Sequence, residues 1–281
     1  MEQLEHITGL HLHYPSHDPR KPILALQNVS VRYNSTPALE NITFQLELGE
    51  RVAVIGPNGA GKSTLFNVIS GVLPPNRGQV DVFGHGPDDH ICIAYVPQRS
   101  QVDWDFPVNV TDMVMMGRVG QMGLFRWPTK KDWQMVREAL ELVGMSHLAK
   151  RQIGELSGGQ QQRVFIARAL AQQAELMLMD EPLTGLDVHS QQDIFAILDK
   201  LRARQVTVMV ATHDLNQAAE HFDRLMLLNR RIIGFGPADA VLTAPLLNEA
   251  YSGNMRLIDS ATGAMFLSDS CCGGGEGHGH G

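Results

Sequence analysis

The residues Gly56-Pro57-Asn58-Gly59-Ala60-Gly61-Lys62-Ser63-Thr64 have the types and spacing of a loop that wraps phosphate. They fit G-x-x-x-x-G-K-[ST]. Glycines let backbone N–H groups close around phosphate oxygens, and a helix starting there adds unpaired N–H groups and a positive dipole end. On this chemistry Lys62 reaches the β- and γ-phosphates, the Ser63 hydroxyl ligates Mg²⁺, and Thr64 adds a phosphate contact. The alternative is a glycine turn that binds nothing. The flanks favour phosphate, because Arg51-Val52-Ala53-Val54-Ile55 reads as a buried strand and Gly61 to Val72 as a helix.

Two further pieces gain meaning beside that loop. Leu176-Met177-Leu178-Met179 is an apolar run ending in Asp180 and Glu181. A buried strand would set both carboxylates at a sheet edge, where ligands bind in α/β folds. Asp180 then holds Mg²⁺, directly or through water, and Glu181 orients and polarises an attacking water. The third piece is Leu156-Ser157-Gly158-Gly159-Gln160, leading into Gln161 to Leu170. Ser157 is a good N-cap, and the two glycines leave N–H groups uncovered at a helix start. Standing alone, it would read as a capped helix after a turn.

The elements that must position these pieces alternate. Leu24–Tyr33 and Ile42–Leu48 show partial period-two patterning around the turn-rich 34–37, which suggests a small antiparallel sheet. Ile91–Val96, Leu176–Met179 and Val206–Val210 suit strands buried on both faces. Trp104–Ala149 is mostly helical in composition, with breaks near 117–123 and Pro128. The expected fold is α/β, with a mostly parallel sheet.

In order and type, Gly56–Thr64, Leu156–Gln160 and Leu176–Glu181 resemble the Walker A, signature and Walker B motifs of ATP-binding-cassette (ABC) ATPases. The resemblance covers roughly 23–251, and the signature sequence is far more specific than the phosphate loop. It implies a P-loop NTPase (RecA-like) core with an N-terminal antiparallel β subdomain and an inserted α-helical subdomain at about 98–154. The expected organisation is an arm at 1–22, the ATPase domain at 23–254 and an extension at 255–281. Tyr33 resembles the aromatic that stacks on adenine, Gln98 the Q-loop glutamine that contacts Mg²⁺ and water, Asp187 the D-loop aspartate, and His213 the switch histidine. The implied cofactors are ATP and Mg²⁺. The implied partners are a second copy paired head to tail, integral membrane permease subunits and, indirectly, an extracytoplasmic solute-binding protein. Ser157, Gly158, Gly159 and Gln160 of one copy would close over ATP on the other.

Tyr95–Val108, above all Trp104-Asp105-Phe106-Pro107, resembles the corresponding region of manganese/zinc/iron-type metal importers. This resemblance implies manganese first, zinc or ferrous iron next, then an iron chelate. Gly117-Arg118 does not discriminate among these, since siderophore, haem and cobalamin importers share it. The remaining composition sets limits. A formal charge of −7 and a pI near 5.9 disfavour a dedicated nucleic-acid binder. No run approaches the ~20 apolar residues of a membrane span, and the start lacks a signal-peptide pattern, so a cytoplasmic protein on the inner face of the membrane is expected. Cys92 reads as a small buried hydrophobe, and three thiols make no disulfide framework. Cys271, Cys272, His278 and His280 could ligate a soft metal, but their glycine-rich tail reads more simply as a solvated end; the same applies to His11 and His13.

Overall fold

The computed structural model describes residues 21–85, 92–122, 127–251, 256–260 and 263–267, the last two as backbone. The strands are β1 (Leu24–Tyr33), β2 (Thr36–Leu46), β3 (Arg51–Ile55), β4 (Arg77–Val82), β5 (Ile93–Val96), β6 (Leu176–Asp180), β7 (Thr207–Thr212), β8 (Arg224–Asn229), β9 (Arg231–Gly236), β10 (Arg256–Ser260) and β11 (Gly263–Leu267). The helices are α1 (Lys62–Ile69), α2 (Val110–Met115), α3 (Val119–Met122), α4 (Lys130–Leu142), α5 (Gly158–Ala171), α6 (Val188–Ala203), α7 (Leu215–His221), α8 (Ala238–Val241) and α9 (Ala244–Tyr251).

The central sheet has the order β5-β6-β7-β3-β8-β9. Its first five strands are parallel, and β9 returns antiparallel to β8. Every residue of β3, β6 and β7 is buried, which explains why these runs are apolar without alternation. Alternation still sorts their side chains between two cores. Ala53, Ile55, Met177, Met179, Val208 and Val210 face α5 and α6. Val52, Val54, Leu176, Leu178, Met209 and Ala211 face α1 and a three-stranded antiparallel sheet ordered β2-β1-β4. The α/β core with an antiparallel β layer is therefore as expected. Helices α2 to α4 lie between β5 and α5, in the segment where an inserted helical lobe is expected.

Several boundaries differ from the sequence expectation. β2 begins at Thr36, so only Asn34 and Ser35 turn. Asn34 adopts φ 56, and Pro37 is tolerated because β2 is an edge strand. Helix α1 stops at Ile69, before Gly71 at φ 77. Trp104–Pro107 is not helical; the first helix of that region is N-capped by Asn109. Strands β8 to β11 carried no strand expectation. Cys92 precedes β5; it is half-buried, and burial, with Glu175 nearby, pushes its thiol up to about 12. The histidines of the arm and the Cys271–Gly281 tail lie outside the described residues.

Arg118 has a structural use. It is 4% exposed and donates from Nε to Asp132 (3.0 Å) and from Nη1 to the Ala171 carbonyl (2.8 Å) and Gln173 (3.1 Å). Asp132 also completes a capping box with Thr129 at the start of α4. The Gly117-Arg118 pair thus pins the helical segment to the C-terminal end of α5. A Cβ on Gly117 would overlap the Arg168 carbonyl oxygen.

Candidate functional site

The loop between β3 and α1 is shaped by its glycines. Gly59 and Gly61 adopt φ 79 and φ 97, a left-handed region costly to other residues. A Cβ on Gly56 would overlap the Leu228 carbonyl oxygen of the neighbouring strand. Lys62 is buried, and its ammonium donates to the carbonyls of Gly56 (2.6 Å) and Pro57 (3.3 Å). Burial lowers its pKa, opposed by the charges of Glu181 and Asp180. The Lys62 ammonium is therefore folded back onto two carbonyls of the loop.

The end of β6 delivers the carboxylates. Asp180 is 3% exposed, and burial raises its pKa, with Glu181 beside it acting in the same direction. Hydrogen bonds from Ser63 and Tyr95, and the charge of Lys62, oppose that rise. The Tyr95 hydroxyl lies 3.4 Å from Asp180, and its own pKa is pushed up to about 12 by burial and by that carboxylate. A buried carboxylate next to a serine hydroxyl is a hard-oxygen donor set, the type that suits Mg²⁺. Glu181 leaves the strand at φ 47, its N–H held by the Ala211 carbonyl (3.0 Å). That turn swings its side chain away from Asp180's path and toward three other groups. Gln98 Nε2 donates to Glu181 Oε2 at 3.1 Å, Thr184 Oγ1 donates to the same oxygen at 3.3 Å, and His213 Nδ1 stands 4.0 Å from Oε1. Gln98 follows β5 and His213 follows β7, so the parallel sheet gathers these side chains at the C-terminal edges of β3, β5, β6 and β7.

Tyr33 ends β1 and is 50% exposed, in the hairpin whose Ala38 carbonyl approaches Gly61. Pro57, Asn58, Ala60 and Thr64 complete the loop and the first turn of α1.

The signature segment is placed elsewhere. Ser157 caps α5 through a capping box with Gln160: the Gln160 N–H donates to Ser157 Oγ, and Gln160 Oε1 accepts from the Ser157 N–H (3.0 Å). Gly158 packs beside Arg99 and Leu186, while a Cβ on Gly159 would overlap the Ser190 hydroxyl. That hydroxyl and the Ser190 N–H both bond Asp187, the N-cap of α6, at 2.8 and 2.9 Å. These bonds lower the pKa of Asp187. Helix α5 runs along β5, with Arg168 and Gln172 donating to the carbonyls of Tyr95 and Ile93. In the sheet, β5 is three strand positions from β3, or ~14 Å at the usual spacing. The signature turn and the phosphate loop of one chain therefore do not meet.

Sequence reasoning gave Thr184 no role and read Tyr95 and Arg99 only as members of the Tyr95–Val108 segment. Tyr95 had one usable signal, a polar-tipped residue inside an apolar strand just upstream of Gln98. The other two depend on contacts between segments distant in sequence.

Comparison with known proteins agrees with this geometry. The family model described as "ABC transporter" matches residues 39–184. The manganese transport system ATP-binding protein MntB of Bacillus subtilis is 46% identical over 234 residues, covering 83% of this chain and 94% of that protein. The zinc transport system ATP-binding protein TroB of Treponema pallidum is 46% identical over 231 residues, covering 82% and 87%. An inward-facing metal-chelate type ABC transporter is similar in structure, with a TM-score of 0.74 at 30% identity, covering 88% of this chain and 96% of that one. With the phosphate loop, the paired carboxylates and the signature turn all in place, this chain belongs to the ABC transporter family, as an ATP-binding cassette.

Proposed function

We propose that this chain is the ATP-hydrolysing subunit of an importer of divalent metal ions, with manganese first and zinc or ferrous iron next. The observation that carries the cargo is the 46% identity to a manganese-system subunit across 94% of that protein's length. A second reading, an iron-chelate importer, is favoured by the likeness to a metal-chelate type transporter.

In the proposed mechanism the backbone N–H groups of the 56–61 loop, of which Pro57 has none, act with Lys62 and Thr64 to hold the β- and γ-phosphates, and Tyr33 stacks on the adenine. Ser63, Gln98 and Asp180 would hold Mg²⁺, which supplies charge neutralisation on the phosphates. Glu181 accepts the proton of the attacking water. Gln98 orients that carboxylate from one side, and His213 approaches from the other, where it touches the γ-phosphate. The separation of signature turn and phosphate loop within one chain supports a head-to-tail homodimer. Ser157–Gln160 and Asp187 of one copy then complete the site of the other. ATP closes such a dimer because its γ-phosphate gains a second ring of N–H donors there, and hydrolysis loosens it. Among the described residues no helix is long and apolar enough to cross a membrane. Separate permease subunits would therefore supply the pore, with the cassette on their cytoplasmic side and a solute-binding protein engaged indirectly.

The test is elemental analysis of metal-limited cells carrying the wild-type protein or Glu181→Gln, each at native level with its permease. A selective fall in manganese, zinc or iron in the mutant names the cargo. Unchanged metals, with the mutant protein stable and membrane-bound, refute metal import.

A further inference from the structure

The Gln98 segment is fastened to the signature helix at two points on one helix face. Arg99 Nε donates to Gln161 Oε1 at 2.8 Å. Gln161 is only 3% exposed, and its Nε2 donates to the Ile153 carbonyl (3.2 Å), so its amide orientation is fixed from both ends. One turn further along α5, Phe165 packs edge-on against Trp104, ring centres 5.3 Å apart. Positions 161 and 165 are an i, i+4 pair and share a face. The loop between the two anchors is closed by Trp104 Nε1 donating to the Arg99 carbonyl at 3.0 Å.

Arg99 also meets the signature turn itself. A Cβ on Gly158 would come within 3.0 Å of Arg99 Nη1 and 3.2 Å of Leu186 Cδ2, so any other residue there would make the guanidinium give way by a few tenths of an ångström. Among the described residues Arg99 forms no ion pair with a carboxylate. Its guanidinium meets an amide oxygen, a glycine and, at 6.0 Å, the ring of Trp104, which define a position and neutralise no charge. An unbroken chain of contacts results. It runs from Glu181 through Gln98 (3.1 Å) and its neighbour Arg99 to Gln161, whose N–H donates to the Ser157 carbonyl (2.8 Å).

We propose that Arg99 is a positioning residue that fixes the signature turn to the Gln98 segment. Any movement of Gln98 relative to Glu181 is thereby carried to Ser157–Gln160. The residue acts on the neighbouring copy's nucleotide through that turn and touches no phosphate itself. This inference rests on the ATPase reading above, with the signature turn working across a dimer. A planar donor is required: the Nε–H must point at Gln161 while Nη1 lies over Gly158, a fork that a lysine ammonium does not reproduce.

The full chain is tested as wild type, Arg99→Ala, Arg99→Lys, Gln161→Ala and the Arg99→Ala/Gln161→Ala double variant. Three quantities are read: ATP affinity of the monomer, steady-state kcat and KM for ATP, and ATP-driven dimerisation by size exclusion in a Glu181→Gln background. Losing a hydrogen bond from a charged donor corresponds to a loss of about tenfold or more. Arg99→Ala is expected to lower kcat and dimerisation by about that factor, with monomer ATP affinity within about twofold of wild type. Lysine should not rescue. The double variant should be no worse than the poorer single one, because both remove the same contact.

Wild-type kcat and dimerisation in Arg99→Ala would overturn the proposal. So would full rescue by lysine, which would assign the effect to charge, or additive losses in the double variant. A fall in monomer ATP affinity would place Arg99 at its own nucleotide instead. A wild-type chain that neither binds nor hydrolyses ATP would overturn the ATPase reading itself, an outcome distinct from all of these.

Discussion

Replacing Glu181 by glutamine separates proton acceptance from every other property of that side chain. Gln98 and Thr184 both donate to Oε2, at 3.1 and 3.3 Å. A glutamine carbonyl can accept both bonds in the same rotamer, so the local structure, including the φ of 47 at this residue, has no reason to change. The chemistry has every reason to. A positioned general base contributes about 10²–10⁴ in rate, or about 3–5 kcal/mol of barrier at 1.36 kcal/mol per decade. Binding should move the other way. Glu181 lies close enough to Lys62 and Asp180 to shift the pKa of both. Removing its charge takes one negative group away from the place where phosphate oxygens are held. Expected, then, are a hundredfold or greater loss in phosphate release at saturating ATP and an ATP affinity equal to or above wild type, with ATP-bound dimers persisting on size exclusion. Turnover within about threefold of wild type would refute the general-base assignment. Loss of ATP binding would refute the claim that the two side chains are interchangeable in shape.

Four other outcomes follow from particular residues. Gly56→Ala forces the phosphate loop off the Leu228 carbonyl; a displacement of ~1 Å at such a site costs up to about a hundredfold, and equilibrium ATP titration should show at least a tenfold loss. Arg118→Ala leaves Asp132 buried without its cation, at a cost of about 3–5 kcal/mol, read as a melting temperature lower by roughly 6–20 °C. The Asp132 carboxyl is held below its usual range, first by the Thr129 hydroxyl and also by the Thr129 N–H and Arg118. A depressed carboxylate lends its stability in full above the unfolded value near ~4 and loses it as pH falls through the lower folded value. Asp132→Asn should therefore lose the acid part of the stability curve, and an unchanged curve between about pH 2 and 5 would exclude this linkage. Finally, Lys62→Ala and Ser157→Arg should each be inactive alone. When mixed, random pairing makes about half the dimers mixed, each with one intact site, so activity should return to about one quarter of wild type. No recovery in verified mixed dimers would refute the head-to-tail site.

The parts legible in the sequence are those governed by local rules. Continuous burial writes itself as an apolar run, which made β3, β6 and β7 visible, and backbone geometry demands glycine, which made 56–61 visible. Where an element is defined by its neighbour, the sequence is silent. Strand β4 exists because it pairs with β1, and its first three residues are exposed, so no apolar pattern marks it. Trp104 and Phe106 illustrate a finer limit. The pair reads as one aromatic feature, yet Trp104 is held against α5 while Phe106 is 54% exposed. Burial of an aromatic depends on which face of a loop meets a helix placed 60 residues later, and no local spacing encodes that.

Strand order accounts for why one chain carries two halves of a site that do not meet. Parallel strands deliver their C-terminal ends to a common edge, so side chains after β5, β6 and β7 can converge on a loop after β3. A helix packed along the outermost strand, as α5 is along β5, has its N-terminus on that same edge but at its far end. Moving it closer would require rebuilding the sheet, whereas the proposed pairing with a second copy, turned by half a rotation, would bring an identical helix over the loop without altering either chain. In the proposed head-to-tail pair, the contacts between the Gln98 segment and α5 would lie on the route from one nucleotide to the other. Arg99, Gln161 and Trp104, silent in any single-site description, would then set how faithfully that signal is passed.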